Sequence, residues 1–145
     1  NYLDEHSQIK VKRAENDEVL QAGVCYLSAG SDYMSVHDQG DDLVLHVSPA
    51  PFASRKGSVD RLLFSVAETM GKNAIGVVLS GSGGDGSEGL EEIERTGGTV
   101  VIQEPKSCLT KDMSLAALDV CTPDYIISDV DLPSTINEIL AAGNF

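Results

Sequence analysis

Basic residues are scarce in this chain: ten Lys and Arg stand against 23 Asp and Glu, a net charge of −13. Nucleic-acid binders neutralise phosphates with Lys and Arg, so this chain would repel a phosphate backbone and, equally, an anionic membrane surface. The excess charge reads as a solvated acidic face that keeps the protein soluble. Cysteine is sparse too. Cys25, Cys108 and Cys121 are odd in number and form no CxxC pair, so neither structural zinc nor a disulfide framework has support, and a reducing cytoplasm fits. No apolar run approaches the ~20 residues needed to cross a bilayer, and Asn1 opens no signal-peptide pattern. No membrane insertion is expected.

What remains is ordinary globular composition, 41% apolar and 23% charged, over a length of one domain or part of one. The pattern changes character near Pro49. Before it, Ile9-Lys10-Val11-Lys12, Val24-Cys25-Tyr26-Leu27, Met34-Ser35-Val36-His37 and Leu43-Val44-Leu45-His46-Val47 read as short strands. The last two flank Asp38-Gln39-Gly40-Asp41-Asp42, a hairpin turn, and Ser48-Pro49-Ala50-Pro51 reads as a loop. Beyond it the period becomes helical. Ser58 is placed to cap a helix with Val59, Leu62, Leu63, Val66, Ala67 and Met70 on one face, and Gly71 to end it in a left-handed turn. The all-apolar Ala74–Leu79 then predicts a central strand covered on both faces. A helix from Glu88, a strand Thr99–Gln103, a helix near Asp112–Cys121, a strand Tyr125-Ile126-Ile127 and a helix begun by Pro133 follow. Strands alternating with helices predict right-handed βαβ units on a parallel sheet.

The chemistry concentrates in Leu79-Ser80-Gly81-Ser82-Gly83-Gly84-Asp85-Gly86-Ser87-Glu88-Gly89, between a buried strand and a helix, where open parallel sheets gather ligands and catalytic groups. Three readings compete. Gly81 to Gly86 matches G-x-G-x-x-G, and Glu104 falls 18 residues past Gly86, where a ribose-binding acid would stand. Against a dinucleotide- or phosphate-binding domain, Asp85 would sit among the amides meant for a pyrophosphate. In the second reading Asp85 is an ionised carboxylate that orients a histidine, the third member of a Ser-His-Asp triad. In the third it only caps its helix.

Several stretches together resemble the CheB-type chemotaxis methylesterases. Val77 to Gly86, with Gly89-Leu90 and Gly97-Gly98, looks like that family's catalytic-aspartate segment, and Gln103 to Met113 matches the stretch after it. Gly57-Ser58-Val59-Asp60-Arg61-Leu62 is similar to its R-P-S-V-D helix start, and Ser28 to Met34 to its A-P-G-x-x-H-M loop. The resemblance runs from about Leu3 to Leu140. It implies an α/β fold, a three-layer α/β/α Rossmann-like sandwich on a mainly parallel sheet, with an antiparallel β-hairpin in the N-terminal part. It implies hydrolysis of γ-glutamyl methyl esters, and deamidation of glutamines, on the cytoplasmic helices of methyl-accepting chemotaxis receptors, with no metal or organic cofactor. Asp85 falls on the triad aspartate, and Ser82 where the family has a Met whose backbone N–H serves an oxyanion hole. A receiver domain is a further partner expected in the parent chain.

The family's nucleophilic serine and catalytic histidine precede the matched region, and His6, His37 and His46 do not fall on the histidine position. Tyr33 replaces the loop histidine, Lys56-Gly57 replaces Arg-Pro, and Ser114 follows Met113 in place of proline. Ser82 is rejected as a nucleophile because no glycine stands two positions before it, Ser80 and Ser107 for want of a base, and Cys108 as a small buried hydrophobe without a basic neighbour. Residues 1–145 are therefore expected to be the C-terminal portion of a single methylesterase domain, inactive alone. The alternatives are the dinucleotide or phosphate site, or a non-catalytic truncated relic kept for protein contacts.

Overall fold

In the computed structural model, residues 2–50 and 57–143 are described. A four-residue helix α1 (Tyr2–Glu5) leads into β1 (Lys10–Arg13), which pairs in parallel with β2 (Val24–Leu27). Strands β3 (Asp32–Gln39) and β4 (Asp42–Pro49) form the expected antiparallel hairpin, Gln39 opposite Asp42 at the tight end. The second strand continues through Ser48 and Pro49, which were expected in a loop. Pro49 pairs opposite Asp32 at the last register position, where a missing N–H costs least. Pro51 and Lys56 lie outside the described residues.

The remainder alternates as predicted: α2 (Ser58–Met70), β5 (Ile75–Val78), α3 (Ser87–Arg95), β6 (Thr99–Gln103), α4 (Asp112–Val120), β7 (Tyr125–Ile127) and α5 (Leu132–Ala142). All pairings in the β5-β6-β7 sheet are parallel. The expected central strand is displaced by one: β6 lies between its neighbours, and β5 has a partner on one side among the described residues. Burial agrees. Val100, Val101 and Ile102 are fully buried on both faces of β6, whereas Ile75 and Val77 are half-buried.

Helix α2 is the wedge that joins the two halves. Leu63 and Ala67 enter a core with Leu90, Ile93, Val100, Ile102 and Ala117. Leu62 packs instead with Met34, Val36 and Leu45 of the hairpin, and Val66 touches both clusters. The wedge is pinned by a buried polar bond, Val36 N–H to Ser65 Oγ at 2.9 Å. Gly89 lets α3 approach α2 closely, since a Cβ there would lie 2.5 Å from Leu63 Cβ. Gly71 ends α2 with a positive φ of 51° but ψ of −124°, outside the left-handed helical region expected for it. Among the described residues, no helix is long and apolar enough to cross a membrane.

Candidate active site

The N-terminus of α2 is not capped by Ser58. Gly57 occupies the N-cap position with φ 76° and offers no side chain. The first-turn donors go to a distant residue: Val59 N–H meets Asp85 Oδ2 at 3.1 Å and Asp60 N–H meets Asp85 Oδ1 at 2.9 Å. Asp85 therefore does not cap the helix that follows it. Helix α3 is capped by Asp60, whose Oδ1 accepts Gly86 N–H at 3.0 Å and Gly89 N–H at 2.7 Å. Two helix starts face each other, and each carries the acid that satisfies the other. Burial pushes the Asp60 carboxyl above its usual range, helped by the charges of Asp85 and Glu88 and opposed by the Gly89 and Gly86 amides.

Gly86 makes this geometry accessible to the backbone. Its φ is 98°, and a Cβ would stand 2.9 Å from Val59 Cγ1 and 3.3 Å from Val78 Cγ2. Asp85 is half-buried between the end of β5 and the start of α2. Two of its roughly four lone-pair sites are used, which leaves room for one more donor.

The rest of the loop is stitched to the Gln103–Met113 stretch. The Gln103 carbonyl accepts Ser80 N–H at 3.0 Å, and its amide group donates to Ser107 O at 3.2 Å and Oγ at 3.1 Å. Ser80 Oγ donates to Thr110 O and accepts Thr110 N–H. Gly81 N–H reaches Thr110 O and Gly81 O accepts Met113 N–H, both at 3.1 Å, while Gly83 N–H meets Asp112 Oδ2 at 3.3 Å. Ser82 thus projects into solvent from a backbone held on both sides. Neither Gln103 nor Asp60 received a role from sequence. A buried Gln ending an apolar strand, and an acid in the first turn of a helix without a capping side chain, are the signals that mark them.

The glycine loop is weakened as a phosphate cradle, because the amides of all three of its positions Gly81, Gly83 and Gly86 are already engaged. Gly81, Gly83 and Gly86 give their N–H groups to Thr110, Asp112 and Asp60 respectively. The histidines lie elsewhere. His6 Nδ1 is 2.8 Å from Tyr2 O, and His37 stacks on His46 with ring centroids 4.2 Å apart across the hairpin. Tyr33, at the loop-histidine position, is buried beneath the Arg61 guanidinium, 5.4 Å from the ring centroid. Cys108 is buried with Sγ 3.3 Å from Ser114 Oγ, and burial beside Glu94 and Glu91 pushes the Cys121 thiol up to about 11. Neither is an activated nucleophile.

A carboxylate held by two backbone amides just beyond the carboxyl end of a parallel strand stands where open α/β sheets gather ligands. A sequence model of the CheB methylesterase family matches residues 1–136, and the chain belongs to that family. The protein-glutamate methylesterase/protein-glutamine glutaminase of Photorhabdus laumondii is 34% identical over 142 residues, 97% of this chain and 41% of that protein. The enzyme so named from Pyrococcus abyssi is 30% identical over 135 residues, 92% of this chain and 37% of its own length. The crystal structure of the Thermotoga maritima CheB methylesterase catalytic domain superposes with a TM-score of 0.87 at 25% identity, covering 95% of this chain and 74% of that one. The α/β sandwich implied by the resemblance is thus the fold of this chain. The chain spans about two fifths of the length of the curated relatives it matches.

Proposed function

We propose that this chain is the aspartate-bearing C-terminal portion of a protein-glutamate methylesterase domain, acting in the cytoplasm on chemoreceptor helices. In this reading Asp85 accepts the Nδ1–H of a histidine supplied from outside these 145 residues. It holds that histidine in the tautomer whose other nitrogen takes the proton of an attacking serine. The serine adds to the γ-glutamyl ester carbonyl, methanol leaves with the returned proton, and water releases the acyl group by the same route. The Ser82 backbone N–H, between positions fixed at Gly81 and Gly83, would stabilise the tetrahedral oxyanion, a role that a side-chain change leaves intact. Glutamine deamidation uses the same steps with ammonia as the leaving group.

The observation that carries this reading is the Asp85 carboxylate itself. It is held by the Val59 and Asp60 amides at the end of β5, with lone pairs to spare. In the full-length protein, Asp85→Asn should lower methanol release from methylated receptor by about 10⁴-fold, the scale seen for the aspartate of a serine-protease triad. Turnover close to wild type would leave Asp85 a capping residue and overturn the assignment.

A further inference from the structure

We propose that Asp60 is a positioning residue for Asp85, holding its carboxylate and its backbone at once; this rests on the triad reading of Asp85. The carboxylate is held through the Asp60 N–H, 2.9 Å from Asp85 Oδ1. The backbone is held through Asp60 Oδ1, which accepts the N–H of Gly86, the next residue after Asp85, and of Gly89 one turn later. Asp85 is therefore gripped on two sides by a residue 25 positions away. A reactive group displaced by about 1 Å loses on the order of 10²-fold in rate, so such a clamp acts on turnover even though Asp60 touches neither substrate nor histidine.

The clamp has a narrow geometry. A Cβ on Gly89 would lie 3.2 Å from the Asp60 Cα, so the two backbones meet with no side chain between them. Both accepted bonds end on the same oxygen, Oδ1, and an amide oxygen in that position accepts both as well. Asparagine should thus preserve the clamp and alanine should abolish it.

The first test uses this chain and needs no activity. Amide hydrogen exchange is measured on wild type, Asp60→Ala and Asp60→Asn. Loss of the clamp should raise exchange at Gly86 and Gly89 and also across the gap at Val59, whose N–H is held by Asp85 among the described residues. Asparagine should restore protection at all three. Faster exchange confined to Gly86 and Gly89 would make Asp60 a local cap of α3 and overturn the proposal. If the alanine variant does not fold, Asp60→Glu, which keeps the charge and displaces the oxygen by one methylene, carries the same test.

The second test is turnover in the full-length protein. Asp60→Ala should lower kcat roughly 10–100-fold with KM within about twofold, and should add little in an Asp85→Asn background. Asp124→Ala is the control, because it removes an equivalent acceptor, for Val100 N–H at 2.8 Å, at the opposite end of the sheet. Equal losses in Asp60→Ala and Asp124→Ala would reduce Asp60 to a stability residue. A silent Asp85→Asn would instead remove the triad reading, so the two failures are told apart.

Discussion

Asp60 and Asp85 each cap the helix that the other residue introduces. Asp85 receives Val59 and Asp60 N–H at the start of α2, and Asp60 receives Gly86 and Gly89 N–H at the start of α3. Two carboxylates brought together would normally repel. Here each lies against the positive end of a helix, and four backbone donors offset the repulsion.

The exchange makes stability depend on pH in a defined direction. The folded-state pKa of Asp60 lies above the unfolded value because of burial and the neighbouring charges of Asp85 and Glu88. The folded chain therefore takes up this proton first, and the contribution stabilises as pH falls through the folded pKa and is lost as pH rises. Measured against wild type, Asp60→Asn should gain stability as pH rises from about 3.5 to 6, the range over which carboxylates titrate. Urea midpoints at several pH values read this difference, and a flat or opposite trend contradicts it.

Gly89→Ala tests the close approach of α2 and α3. Alanine improves intrinsic helix propensity by about 1 kcal/mol over glycine. The new methyl would lie 2.5 Å from Leu63 Cβ, too close without moving one helix off the other. Overpacking of this kind costs about 1–3 kcal/mol, so the variant should be net destabilised, with a lower denaturation midpoint. An increase in the midpoint would show that the contact is looser than described.

Nucleotides should leave the melting temperature unchanged, since the amides of Gly81, Gly83 and Gly86 are already occupied. A ligand at 100 times its Kd stabilises the native state by about 2.7 kcal/mol, well within reach of a thermal shift assay. A clear upward shift with NAD(P) or a nucleoside phosphate would revive the phosphate-loop reading.

By themselves these 145 residues should release no methanol from methylated receptor above the buffer rate. His37 and His46 stack on each other in the hairpin, and His6 turns back onto the Tyr2 carbonyl. None of them reaches Asp85 among its hydrogen-bond partners in the described residues. Activity that Ser82→Ala or Cys108→Ala abolishes would relocate the nucleophile.

Much of the fold was legible because local patterns and tertiary packing agree in it. The hairpin followed from β-branched runs around Gly40, and α2 from a single apolar face running from Val59 to Met70. The misreadings arise where a tertiary partner replaces a local one. Ser58 has the right side chain for a cap, yet an acid from another loop takes its place. Ala74–Leu79 is apolar enough for a central strand, but strand order is set by pairing, which periodicity does not encode. The site divides in the same way. Asp85 announces itself by breaking a glycine loop with a charge, whereas Asp60 and Gln103 act through backbone groups 23 to 29 positions away.

The crossed caps also bear on how the chain reaches its folded state. They link residues 25 to 29 positions apart, and the parallel ladder runs at a similar span, with Ile75 beside Thr99 and Val101 beside Tyr125. Closure entropy grows only slowly with loop length, and folding rate falls as contacts become more distant in sequence. The loop bearing Asp85 therefore closes only when contacts of this non-local kind form, together with the parallel ladder and not ahead of it.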